Sequence, residues 1–148
     1  RSREDRERVL SPAPAAAEVS ERVRSIAAQR RDNIAAMIRQ LREYRAQNVG
    51  MAKIINYVNT RMKSDQALSS EMRSLLASLG ERGERAREAL SKIDDELSSC
   101  VKSLLEVERM YRRGRLDKQA YRSKVSELEE RLLKASEELE KLYRHLGS

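Results

Sequence analysis

Three carboxylates stand side by side at Asp94, Asp95 and Glu96. Two carboxyl groups can share acid and base work only when both face one substrate. Neighbouring helix positions point about 100° apart, so this run reads as a solvated helix surface. Cys100 and His145, the single thiol and the single imidazole, are the other candidates for reactive chemistry. Cys100 falls at a seam position of the heptad pattern given below, which suits a small buried hydrophobe better than a reactive thiolate. His145 lies in the last turn of the last predicted helix, where a cation complements the helix dipole. One Cys and one His exclude a disulfide framework, a multi-cysteine zinc site and a His-pair metal site. No dinucleotide fingerprint, phosphate-cradling glycine loop or HExxH occurs. The sequence therefore predicts a protein that is not an enzyme, with no cofactor and no small-molecule substrate.

The chemistry that the side chains do favour is binding of anions. Net charge is +7, from 31 Lys and Arg against 24 Asp and Glu. Residues 20–63 hold ten basic and three acidic side chains, whereas residues 81–148 hold sixteen and fifteen. Arg supplies 23 of the basic groups, and the guanidinium fork matches carboxylate and phosphate better than ammonium does. On an ideal helix, Arg24, Arg31, Arg39, Arg42, Arg45, Lys53 and Lys63 fall within about 120° of one another. The apolar stripe of Val23, Ile34, Met37, Leu41, Ile55 and Val58 lies on another side, and Asp32 and Glu43 border the basic sector. A second basic cluster gathers Arg109, Arg112, Arg113 and Arg115, with Lys118 and Arg122, around Tyr111 and Tyr121. The competing readings are plain: a solvated or internally paired face for the first cluster, and complementation of a helix dipole for the second. The expectation is a structural scaffold that self-associates or binds partner helices through its heptad seams and docks its Arg-rich face on an anionic surface such as a membrane. The alternative is a protein that packages nucleic acid, of nucleoid or virion type, by binding phosphates. With so few aromatics, contact with nucleic acid would be electrostatic and weakly sequence-specific.

The elements that must carry these groups are helices. Of 148 residues, 39% are hydrophobic and 3% aromatic, with no Phe or Trp and only five Gly and two Pro. That composition disfavours sheets and favours an all-α fold, an elongated helical bundle or coiled coil ending in an antiparallel helical hairpin. Residues 1–14 lack periodicity and read as a flexible charged arm, ahead of one helical domain over 15–148. From 17 to 63 a heptad register runs unbroken, with Ala27, Ile34, Leu41, Asn48, Ile55 and Met62 at one seam position and Val23, Arg30, Met37, Tyr44, Met51 and Val58 at the other. This predicts one long basic helix with a weak point at Gly50; a true turn at Asn48–Gly50 is the alternative. Arg30 implies a loose seam, and Asn48 a residue that sets register. Ser64-Asp65 reads as the N-cap of a short helix over 65–79, stopped by Gly80–Gly83. A hairpin follows over 84–146. Leu90, Ile93, Leu97, Cys100, Leu104 and Val107 line one arm; Val125, Leu128, Leu132, Ala135, Leu139 and Leu142 line the other. Its turn falls at Arg113-Gly114-Arg115, with Asp117 as the next N-cap. No apolar window is long enough to span a bilayer, and the single Cys suits a reducing compartment; the expectation is an intracellular protein.

The stretch from Leu105 to Leu132, LEVERMYRRGRLDKQAYRSKVSELEERL, resembles the helical hairpins of archaeal cell-division coiled-coil proteins that recruit ESCRT-III-like filaments. The shared pattern is a Tyr, a Gly-centred turn, a second Tyr and then a Leu heptad. The resemblance implies a scaffold associated with filaments or membranes. That family also carries an N-terminal β-barrel, for which no strand pattern exists here.

Overall fold

A computed structural model describes residues 16–146. They form four α-helices packed together: α1 (Ala16–Ala46), α2 (Met51–Ala77), α3 (Glu81–Arg112) and α4 (Lys118–Glu140), closed by a 3₁₀ segment, Leu142–Leu146. The fold is all-helical. The arm expected over 1–14 lies outside the described residues.

Ion pairs fix how the helices run. Arg22 meets Glu71 and Arg30 meets Asp65, so α1 and α2 are antiparallel. Arg73 on α2 meets Ser91 and Asp94 on α3; Glu96 on α3 meets Arg131 on α4; Arg42 on α1 meets Glu129 on α4. Each helix therefore packs against the next, and α4 returns to α1. The turns after α1 and α3 share one end of the bundle. The turn after α2 and the 3₁₀ segment share the other, where Leu79, Glu81 and Leu146 border one cleft with Ala16.

The helix expected over 17–63 is two helices. The break comes at Asn48, not at Gly50: Asn48 has φ 51°, in the left-handed region. The amide of Asn48 donates to the carbonyl of Arg45 and that of Val49 to the carbonyl of Tyr44. This is the paired Schellman ending, with Asn in the place usually taken by Gly. Asn48 is thus a stop signal and sits exposed, outside any seam. After the turn the buried face is Ile54, Val58, Asp65, Ser69, Met72 and Leu76. Five of these six keep the heptad positions read over 17–63, so the spacing carries through the turn although the helix does not; Ile54 is buried in place of Ile55.

Ser64 and Asp65 lie inside α2, so the short separate helix over 65–79 does not exist. Asp65 is buried and faces Arg30 across the bundle. Gly80 has φ +66° and ends the turn, while Gly83 belongs to α3, which starts three residues earlier than expected. A side chain at Gly83 has no room: a Cβ there would lie 1.8 Å from the carbonyl oxygen of Leu76. The helix expected to run to 146 ends at Glu140, and the 3₁₀ segment buries Leu142 and Leu146 beneath the bundle.

The hairpin matches its heptads. Leu90, Leu97, Cys100, Leu104 and Val107 are buried on α3, and Val125, Leu128, Leu132, Ala135 and Leu139 on α4; Ile93 is half-buried. Gly114 (φ 72°) closes the same Schellman pattern, with Arg115 donating to Met110 and Gly114 to Tyr111. Asp117 then caps α4, its carboxylate accepting from the amide of Ala120 at 2.8 Å. The seam side chains of these helices are filled by the chain's own helices, each fully buried Leu or Val contributing about 1.5–3 kcal/mol.

Arg30 overturns the loose seam expected around it. It is 1% exposed and among the largest fully buried side chains. Its Nε and Nη2 each lie 2.8 Å from an oxygen of Asp65, and Nη2 also lies 2.7 Å from Asp94. Asp94 in turn accepts from Ser69 and Arg73. The carboxylate run thus divides: Asp95 is exposed as expected, whereas Asp94 joins a network across α1, α2 and α3. Burial works against the Arg30 cation, but the hydrogen bonds and charges of the two aspartates prevail and hold its pKa above the ordinary value. Among the described residues, every buried side-chain nitrogen and oxygen has a partner.

Candidate functional site

The turn at Asn48 changes what the first basic cluster can be. Arg24, Arg31, Arg39, Arg42 and Arg45 ride on α1, while Lys53 and Lys63 ride on α2, which runs back the other way. The seven do not form one stripe. Arg31 reaches Glu140 (2.6 Å) and Asp32 (3.2 Å). Arg42 and Arg45 converge on Glu129, at 3.1 and 2.9 Å. These three guanidinium groups meet the chain's own carboxylates and tie α1 to α4, while the Arg31 and Arg42 side chains stay 42% and 58% exposed. Arg24 sits at the far end of the bundle, beside Ser20 and Arg82. Arg39 and Lys63 are exposed, and the Lys53 ammonium stands 5.3 Å from the ring centre of Tyr44.

The second cluster keeps more of its charge available. Arg109 pairs loosely with Glu106 (3.6 Å) and Arg112 with Glu108 (3.3 Å), each within its own helix. Arg113 and Arg115 flank Gly114 and are exposed. Tyr111 and Tyr121 stack with ring centres 3.9 Å apart and planes 9° from parallel. The Tyr121 hydroxyl donates to Glu108 at 2.7 Å. Burial, followed by that carboxylate, pushes the phenol well above its ordinary range, so it remains a neutral donor.

The fold brings parts of both clusters to the same place. Because the turns after α1 and α3 share an end, Arg45 and Asn48 border a cleft with Arg112, Lys118 and Arg122. Residues 39–53 carry four basic and one acidic side chain, and residues 106–124 carry seven and three; with Glu129, which meets Arg42 and Arg45, the excess at this end is six. Sequence reasoning placed Arg45 and Arg112 in separate clusters and Asn48 in a seam. Nothing in the sequence joins positions that far apart; the turn at Asn48–Gly50, the alternative to one continuous helix, is the arrangement found, and it brings them together.

Of the remaining candidates, His145 is exposed on the 3₁₀ segment. Cys100 is fully buried, 3.6 Å from Glu96, and burial pushes its thiol up to about 11. The hydrogen bond from Arg131 holds the Glu96 carboxyl below its usual range. Among the described residues no cluster of His, Cys, Asp or Glu could hold a metal ion, and no helix is long and apolar enough to cross a membrane. No family model, curated protein or solved structure matches the chain.

Proposed function

We propose that this chain is a non-enzymatic helical scaffold that docks end-on to an anionic surface by its two-turn end. The observation that carries the reading is the set of exposed cations at that end, where basic side chains outnumber acidic ones. The cleft at the opposite pole carries Arg24, Arg82, Arg85 and Arg144 against Glu21 and Glu81, an excess of two. Arg113, Arg115, Lys118 and Arg122 are exposed at the two-turn end, and Arg suits phosphate and carboxylate forks. Val49 and Leu116, the apolar residues of the two turns, pack against the core. Contact would therefore rest on charge rather than on an inserted hydrophobic anchor. The resemblance of residues 105–132 to hairpins of filament-recruiting scaffolds points the same way. On this reading the molecule is an elongated, coiled-coil-like spacer inside the cell. Partner helices or further copies would meet its outer surface, since its seams are already occupied.

The test is cosedimentation with vesicles of phosphatidylcholine and phosphatidylserine across a salt series. Binding is expected at low salt and should weaken steeply as salt rises, with about 1 kcal/mol carried by each basic residue near the surface. Replacing Arg113, Arg115 and Arg122 together by Gln should abolish it. Undiminished binding by that variant would overturn the reading. Duplex DNA supplies the second arm, because the same arginines could instead package nucleic acid. In that case the salt slope should fall by about one for each phosphate contact removed.

A further inference from the structure

The cleft between the two turns has a feature that surface charge does not require. Two of its cations are held in place by buried carboxylates, yet they keep donors to spare. Arg45 spends Nη2 on Glu129, and Arg112 spends Nε on Glu108. Both carboxylates are buried, and Glu108 is engaged a second time by the Tyr121 hydroxyl. A guanidinium carries five N–H donors in a rigid fork, so each arginine keeps several for another acceptor. Lys118 and Arg122, exposed on the first turns of α4, complete the rim, and the Asn48 amide adds a neutral donor. Four cations against the carboxylates of Glu108 and Glu129 leave a local excess of two charges.

Size narrows the ligand. The cleft holds about 210 Å³. One water occupies roughly 30 Å³ in the liquid, and pockets for whole organic ligands begin near 300 Å³. The space thus fits a single hydrated oxyanion group rather than an extended molecule. A carboxylate brings one charge and two oxygens. A terminal phosphate brings nearly two charges and three strong acceptor oxygens, a closer match to converging guanidinium forks. A backbone phosphodiester is only monoanionic, and a single small cleft does not track a strand.

We infer that the cleft bordered by Arg45, Asn48, Arg112, Lys118 and Arg122 is a binding site for a phosphate monoester dianion, met either as free phosphate or as a lipid headgroup. The inference deepens the docking reading, which it rests on for the lipid source. It makes this cleft the selective point of an otherwise charge-driven surface.

The test uses the full chain in two arms. In the first, inorganic phosphate is titrated at fixed ionic strength while backbone amide and arginine side-chain NMR signals are followed, with chloride as control. Saturable shifts are expected at Asn48, Arg112 and Arg122, growing as pH rises from about 5.5 to 7.5 and the phosphate gains its second charge. In the second, phosphatidylcholine vesicles carrying phosphatidate are compared with vesicles carrying phosphatidylserine at matched surface charge. Wild type should prefer the monoester lipid by roughly tenfold. The variant Lys118→Gln with Arg122→Gln should lose the preference and the phosphate shifts. Lys92→Gln, outside both the cleft and the two-turn end, should keep both. Equal binding to the two vesicle types without saturable phosphate shifts would overturn the cleft while leaving end-on docking intact. Binding to neither vesicle would overturn the docking reading; phosphate shifts confined to the cleft would then uphold it as a site for free phosphate. Duplex DNA that displaces phosphate from the cleft and binds more tightly than either vesicle would overturn the monoester assignment.

Discussion

Arg30 and Asp65 meet in a two-armed ion pair at the centre of the bundle, with both side chains sealed from solvent at 1% and 5% exposure. Removing one partner from such a pair leaves an uncompensated buried charge. Asp65→Leu should therefore cost about 3–5 kcal/mol in urea unfolding. The double variant Arg30→Met, Asp65→Leu should recover most of that loss, because Asp94 keeps Arg73 and Ser69. A double variant no more stable than the single one would show that Arg30 matters for something other than pairing.

Two glycines should respond differently to alanine. Gly114→Ala has open space and pays only for its left-handed backbone, about 1–2 kcal/mol. Gly83→Ala drives a methyl into the carbonyl of Leu76, so α2 and α3 must separate. Its loss should be the larger, above the roughly 1–3 kcal/mol of ordinary overpacking. Thermal melts of the two variants give the ranking.

Alkaline pH should weaken the fold through Cys100. Its thiol sits at about 11 in the folded chain against an ordinary 9.0, because burial disfavours the thiolate. The raised value means the contribution to stability is whole below about pH 9 and is lost as pH climbs toward 11. Cys100→Ser should remove that part of the decline. Tyr121, raised in the same direction, leaves a further decline at still higher pH. In the native protein near pH 8, a thiol reagent should label Cys100 only as fast as the chain opens.

The basic side chains should separate into two sets. Neutralising Arg31, Arg42 and Arg45 unties α1 from Glu140 and Glu129, so the melting temperature should fall. Neutralising Arg113 and Arg115 removes exposed charge with no ion pair among the described residues, so the melting temperature should hold while vesicle binding weakens. A melting temperature that falls equally in both variants would contradict this division.

Leu97 and Leu132 were legible in the sequence because a heptad repeats one local rule, and both are buried at 1% and 0% exposure. Gly114 and Asp117 were legible because stop and cap chemistry is local too. Arg30 was not. Its burial depends on Asp65 and Asp94, which lie 35 and 64 residues away and meet it only once three helices close. Asp65 beside Ser64 looks like a cap, and Asp94 beside Asp95 looks like surface. The heptad spacing runs on into α2, but a single left-handed residue at Asn48 turns the chain back, which periodicity alone does not show. The cleft was hidden for the same reason, since it exists only because two distant turns share an end.

That the last helix returns to the first has a mechanical consequence. Ala16 and Leu146 border one cleft at the pole opposite the two turns, some 45 Å away for a helix of this length. A molecule held by its turns and pulled from either of those residues is loaded lengthwise. The Arg22–Glu71, Arg42–Glu129 and Arg131–Glu96 bridges, each joining two helices, then lie across the line of sliding and resist in parallel, so tension meets shear along whole helices rather than peeling at one end.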